Sequence, residues 1–465
     1  ARAMIDSQLA RSTLTCYGAG SLIETSIYGF CGLYLLNFYT DVVQLDPRLV
    51  GYALFVCFAI DAVVDLPIGL ISDATAHRIG RRRCLTPAAC TGAVLFYLLL
   101  SPPAVSHAQQ FVYLAVVSSL LFVSLSIYGI PYIALSWELS HDYQQRNRIA
   151  AYRRFFEMIG EILATMTIPV LMQAAASGDA SEAEQESRFY PAAALLIGGI
   201  SVIAAGLAHF GTQEPRRTAR VVQVRFREVA RAAFRNRPFV IVLATFTIVA
   251  LADRVATALL LYLMEHLHGV PKDESASLFL AFFAGSLVSP PLWLIVTNRA
   301  GKKRAYAISI VAWGVAFGLF AAGAWSSIPL HVVAACMGVG SSGVFAIPEA
   351  IFPDAIEWDE HRTGLRREAS YAGIARFTWQ LATAAGFALV GELLAFIGYR
   401  GDEATGPDVL LGLRFVYVAV PAVLLVAALL LFRRYPLNAD DHARLVSELN
   451  ARRAGESDSQ EGSGN

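Results

Sequence analysis

The chain is poor in charge. Asp, Glu, Lys and Arg make up only 16% of its 465 residues, against about 25% in a typical soluble domain. Its 37 basic and 37 acidic residues cancel, which leaves no surplus to draw nucleic acid or an acidic partner. Cysteine is sparse. Cys16, Cys31, Cys57, Cys84, Cys90 and Cys336 sit in or beside apolar runs, with neither metal-ligand spacing nor a disulfide framework. A nucleophile elbow, a phosphate loop and a metal cluster are also missing, so neither an enzyme nor a bound cofactor is expected. The opening ARAMIDSQLARSTLTCYGAG carries no signal-peptide cleavage pattern. The closing ESDSQEGSGN is polar and reads as disordered.

What the chain has instead is hydrophobic length, with 56% of its residues apolar. A bilayer span takes about 20 mostly apolar residues. Twelve such segments follow one another near 13–40, 49–72, 85–103, 109–137, 152–175, 189–210, 239–266, 273–297, 304–325, 328–353, 368–398 and 408–432. The fold class this implies is an all-α polytopic membrane protein with the lipid bilayer as its surroundings. The arginine-rich stretch GTQEPRRTARVVQVRFREVARAAFRNRP separates the first six segments from the last six. Four regions are therefore expected: a six-helix bundle over 1–210, a basic linker over 211–238, a second bundle over 239–433 and a tail over 434–465.

Basic residues give the orientation, because positively charged loops stay in the cytoplasm. Loops 73–84, 138–154, 211–238, 298–304 and 354–367 are basic, whereas the intervening ones carry only Arg48, Arg188, Lys272 and Arg400. Both termini are thus expected to be cytoplasmic, in a bacterial inner membrane. Pro67, Pro131, Pro290, Pro291, Pro348 and Pro421 fall inside spans, where proline marks a kink rather than an end. Gly338, Gly340 and Gly343 allow close helix contact.

Two aspartates stand out within this apolar background. Asp61 and Asp65 lie one helical turn apart in GYALFVCFAIDAVVDLPIGLIS. A carboxylate at the bilayer centre costs at least about 2.5–3.5 kcal/mol. Positions i and i+4 point the same way, so the two groups can meet one cation or share one proton. Such a pair implies that something charged is handled partway across the membrane. The loop that follows reads GLISDATAHRIGRRR. Its Asp73, at a helix end, faces the guanidinium groups of Arg81 and Arg82, a pairing that can latch one state of a moving bundle. The alternative is that these arginines only fix topology. A degenerate echo, NRAGKKR, spans 298–304 after the eighth segment.

This loop, with Gly69, Asp73, Gly80, Arg81 and Arg82, resembles the signature of the major facilitator superfamily. Three further stretches resemble the glycoside–pentoside–hexuronide:cation symporters and their relatives, the sodium-dependent lysolipid carriers. They are NFYTDV at 37–42, IPYIALSWELSHDYQQRNRIAAYRRFF at 130–156 and IPEAIFPDAIEWDEHRTGLRREASYAGIARFTWQ at 347–380. The resemblance implies a twelve-helix major facilitator fold of two six-helix bundles around a central cavity. It also implies cation-coupled symport of a small solute by alternating access. Asp61 and Asp65 match the family's cation-binding carboxylates, Ser126 a hydroxyl of its cation site, and Arg154 an arginine lining its substrate cavity. Departures accompany these matches. Val64 stands for a helix-II asparagine, Gly129 for a helix-IV aspartate and Thr25, beside Glu24, for a sugar-binding aspartate. Gln380 stands for a helix-XI lysine, and Glu349 for a tryptophan.

Sodium wants about five or six oxygen ligands, while a proton needs one carboxylate. The thinned ligand set therefore favours H+ over Na+ as the coupling ion. Other charges fall within spans. Arg154, Glu157 and Glu161 form one helical stripe, Asp253 and Arg254 lie mid-span, and Glu349 can pair with Arg376. Seven acids (Glu24, Asp61, Asp65, Glu157, Glu161, Asp253, Glu349) against three bases (Arg154, Arg254, Arg376) suit a cation pathway. The expected solute site comprises Glu24, Thr25, Tyr28, Tyr132, Arg154, Glu161, Asp253, Glu349, Arg376, Trp379 and Gln380. The solute is expected to be a polar organic molecule, carried by a monomer, and the family resemblance implies a glycoside or a uronide. A lysolipid carrier of the same fold and a non-transporting membrane sensor are the alternatives.

Overall fold

A computed structural model describes residues 10–75, 80, 82–139, 143–175, 182–212, 233–323, 328–363, 368–400 and 406–437, with 444, 447 and 448. Among the described residues every regular element is a helix. Helices α1 (Arg11–Ala19) and α2 (Ser21–Phe30) run on through two π turns, Cys31–Leu35 and Phe38–Val42. Then come α3 (Pro47–Thr75), α4 (Leu85–Leu99), α5 (His107–Leu139), α6 (Tyr143–Ala175) and α7 (Glu182–Gly211). The second half holds α8 (Arg237–His266), α9 (Ala276–Val288), α10 (Pro290–Ala300), α11 (Lys302–Ala322), α12 (Leu330–Thr363), α13 (Glu368–Phe396) and α14 (Pro407–Phe432).

Each of the twelve apolar segments meets a helix or a broken helix. Nine helices are long and apolar enough to cross a membrane among the described residues, and α9 with α10 make a tenth span bent by 42°. Pro290 and Pro291 account for that bend, since proline cannot donate the bond that would carry α9 through Ser289. Pro67, Pro131, Pro348 and Pro421 stay inside continuous helices. The remaining two segments are α4, shorter at 15 residues, and the α1–α2 run. The linker 211–238 and the tail 434–465 lie largely outside the described residues.

The chain forms two compact units. One comprises Ala1–Val221, Arg254–Phe279 and Thr383–Val416; the other comprises Val222–Asp253, Leu280–Ala382 and Tyr417–Asn465. Within the first, α3 packs on α5, α4 on α5 and α7, and α2 on α6. Tyrosines fasten α5 to α1. The Tyr132 hydroxyl donates to the carbonyl of Tyr17, the Tyr128 hydroxyl to that of Gly20, and the Tyr17 and Tyr132 rings stack with centroids 4.6 Å apart. Within the second, α11 packs on α12. The glycines of α12 work as expected: a Cβ at Gly338 would stand 2.0 Å from the Phe282 carbonyl oxygen, and one at Gly343 would stand 2.3 Å from the Trp293 ring. Asn236 caps α8 by accepting from the Phe239 amide, while its own amide nitrogen donates to the Ala355 carbonyl.

Candidate functional site

The helical repeat of α3 places Asp61 and Asp65 on one face, and α5 brings Ser126 between them. Asp61 is wholly buried at 0% exposure; Asp65 is half-buried. The Ser126 hydroxyl lies 2.8 Å from Asp61 Oδ1 and 2.6 Å from Asp65 Oδ1. The Tyr28 hydroxyl of α2 donates to Asp61 Oδ2 at 2.8 Å. The Tyr28 ring in turn meets Phe122 edge-on at 4.7 Å, and Phe58 meets Phe122 at 4.5 Å.

A serine hydroxyl has one proton to give. It can donate to one of the two aspartates, so its short contact with the other calls for a further proton or a cation between them. Two carboxylates held this way can carry a single positive charge between them. Sodium would find oxygens from Asp61, Asp65, Ser126 and Tyr28. Val64, half-buried on the same helix, offers none.

Glu24 and Tyr28 are one turn apart on α2, and Ser126 and Gly129 one turn apart on α5. A Cβ built on Gly129 would meet Glu24 Oε2 at 2.9 Å and its Cδ and Oε1 at 3.0 Å. The Glu24 carboxylate therefore lies against α5 a turn from Ser126. The same unit holds Thr25, whose hydroxyl donates to the Ser21 carbonyl at 2.9 Å. Arg154 is exposed and pairs with Glu157 at 3.2 Å and with Glu161 at 3.9 Å. Tyr132 is 2% exposed and sits in the α1–α5 interface. Its ring stacks on that of Tyr17 there.

The second unit holds Asp253, half-buried on α8, and Glu349, exposed on α12. On α13, Arg376 and Trp379 are half-buried and Gln380 is buried. Trp379 packs against Phe246 at 5.2 Å and Phe345 at 5.4 Å. The echo loop is engaged here: Lys302 donates to both oxygens of Asp354, at 2.7 and 2.8 Å, and to the Ala350 carbonyl at 2.9 Å. Of the expected latch, Arg81 and the side chains of Asp73 and Arg82 lie outside the described residues.

Neither the Tyr28–Asp61 bond nor the Lys302–Asp354 bond was anticipated from the sequence. The signal for the second was present in NRAGKKR and in the acids of α12; the first has no local signature.

The sequence profile described as MFS/sugar transport protein matches residues 16–439. The chain belongs to that family. Its members are transporters rather than enzymes, and the all-helical architecture is a major facilitator fold, with helices consistent with twelve spans. A relative named glucuronide carrier protein homolog, from Escherichia coli (strain K12), is 23% identical, with 97% of each chain covered. A sodium-dependent lysophosphatidylcholine symporter 1-A from Danio rerio is 25% identical over 88% of this chain and 82% of its own. Among solved structures, a bacterial homolog of the human lysosomal transporter Spinster aligns with a TM-score of 0.66 at 14% identity. It covers 90% of this chain and 95% of that one.

Proposed function

We propose that the chain is a cation-coupled symporter that moves a polar organic solute by alternating access, with Asp61, Asp65 and Ser126 as its coupling site. The observation that carries this reading is the Ser126 hydroxyl within hydrogen-bond reach of both aspartates. A buried site built this way is completed by one proton or one small cation. With Val64 and Gly129 adding no oxygen, the proton is the favoured ion. Glu24, Thr25, Glu161 and Arg154 supply one set of solute-facing groups, and Asp253, Glu349, Arg376, Trp379 and Gln380 another. The basic loops hold both termini on the cytoplasmic side of a bacterial inner membrane, and the working unit is a monomer. The glucuronide carrier homolog supports a uronide or glycoside as the solute.

A second reading rests on a specific observation, the likeness to a sodium-dependent lysophosphatidylcholine symporter. In it the coupling ion is sodium and the solute an amphiphile.

Uptake into proteoliposomes separates the two. A glucuronide and a lysophosphatidylcholine are offered under a pH gradient without sodium, then under a sodium gradient at equal pH. The proposal expects accumulation of the glucuronide under the pH gradient. Accumulation of lysophosphatidylcholine under the sodium gradient alone would replace it with the second reading. Failure of every gradient to drive uptake, with no counterflow, would mark a sensor.

A further inference from the structure

A second gathering of titratable side chains lies away from the coupling site. Asp41 belongs to the π turn Phe38–Val42 that ends the first span, and Glu265 and His266 close α8. π turns inside helices often mark functional positions. All three residues fall in the first compact unit. One oxygen from each carboxylate and one imidazole nitrogen lie within 4.8 Å of one another.

The surrounding hydrogen bonds orient these groups. Asp41 Oδ1 accepts from the Thr40 hydroxyl at 2.8 Å and from the Tyr399 hydroxyl at 3.1 Å, and Oδ2 accepts from the Asn37 amide. His266 Nε2 lies 2.9 Å from the same Tyr399 oxygen. Because Tyr399 gives its only proton to Asp41, Nε2 must be the donor in that contact, which leaves the lone pair on Nδ1. An imidazole fixed through one nitrogen and open at the other is the arrangement found in metal-ligating histidines.

Two buried oxygens add an independent observation. Glu265 Oε2 and Asn37 Oδ1 are enclosed with no hydrogen-bond donor, and Asn37 is wholly buried. Both atoms are acceptors only, so what they call for is a cation or a donor. Lys272 provides partial compensation: it is 6% exposed, with its ammonium 3.6 Å from Glu265 Oε2.

We propose that Asp41, Glu265 and His266 form a binding site for a divalent transition-metal cation of the zinc class. One imidazole and two carboxylates suit such a cation better than calcium or magnesium, which take oxygens alone. Three protein ligands leave a fourth position open. The metal displaces the Lys272 ammonium from Glu265. Its ligands come from both halves of the sequence, so it clamps the end of the first span to the end of α8. On the transport reading above, it therefore favours the arrangement in which those two ends are together and slows the cycle.

The test uses purified full-length protein in detergent, with zinc chloride as the probe, followed by titration calorimetry and thermal unfolding. Zinc should bind and raise the melting temperature, and magnesium should not. His266→Ala should weaken zinc binding by at least about tenfold, as for loss of a ligand or its support. Lys272→Met removes the competing cation and should tighten zinc binding, a gain that a misfolded variant cannot produce. Asp61→Asn should leave zinc binding unchanged, so the site stands or falls separately from the coupling proposal. Absence of zinc binding to the wild type overturns the inference, as does equal affinity in wild type, His266→Ala and Lys272→Met.

Discussion

The Glu24 carboxylate occupies the space that a side chain on Gly129 would need. A Cβ at that position would lie 2.9–3.0 Å from three Glu24 atoms, closer than carbon and oxygen pack without displacement. Gly129→Ala should therefore push the Glu24 carboxylate aside; because that is the far end of a flexible side chain and alanine gains about 1 kcal/mol of helix propensity over glycine within α5, the net stability should change by no more than about 1 kcal/mol. Glu24→Ala should relieve the clash, so that the double variant melts above Gly129→Ala alone. Thermal unfolding of the four proteins in the cycle measures the coupling. Additive effects would show that Glu24 has room elsewhere.

Asp61→Asn and Asp65→Asn retain volume and remove charge. Each should cut uphill accumulation at least tenfold, the effect of losing about 1.4 kcal/mol at a cation site. Counterflow, which needs no net cation movement, should survive. Wild-type accumulation by either variant would remove that aspartate from the coupling site.

Asp73→Ala addresses the latch read from the loop after α3. If Asp73 pairs with Arg81 and Arg82 to close the cytoplasmic side, its loss opens that side more often. A cysteine placed in the cavity should then label faster with a membrane-impermeant reagent offered from the cytoplasmic face of inside-out vesicles. Unchanged labelling would leave Arg81 and Arg82 with only a topological role.

The apolar segments were legible because hydrophobic length is a local property: each met a helix or a broken helix, consistent with twelve spans, and the Pro290–Pro291 pair coincided with a bend. The break at Gly20 was not legible. There the hydroxyls of Tyr128 and Tyr132, more than a hundred positions away, donate to the carbonyls of Gly20 and Tyr17. The nearness of Asp61 to Asp65 followed from the helical repeat alone, whereas the place of Ser126 between them came only through the family resemblance. Tyr132 stacks on Tyr17 at the α1–α5 interface. A tyrosine that stacks on another helix and one that faces a solute have the same sequence signature, because the rotation of α5 about its axis decides between them.

Tyr28 is the residue whose role most depends on the structure, because its hydroxyl reaches Asp61 Oδ2 at 2.8 Å across two helices. Its ring also packs on Phe122 and Phe58. Tyr28→Phe keeps that packing and deletes one donor to a buried carboxylate. A hydrogen bond to a charged group contributes about 1.5–3 kcal/mol, so the apparent affinity for the coupling cation should change by about 10- to 100-fold. The melting temperature should move far less than in Tyr28→Ala, which also empties the space beside Phe122. Uptake against external cation concentration, for wild type, Tyr28→Phe and Ser126→Ala, gives the comparison. The two variants should shift half-saturation while leaving counterflow in place, since each removes a hydrogen-bond donor to the aspartates without touching the solute-facing groups. If Tyr28→Phe shifts only solute half-saturation, the tyrosine belongs to the solute site and the bond to Asp61 is incidental to coupling.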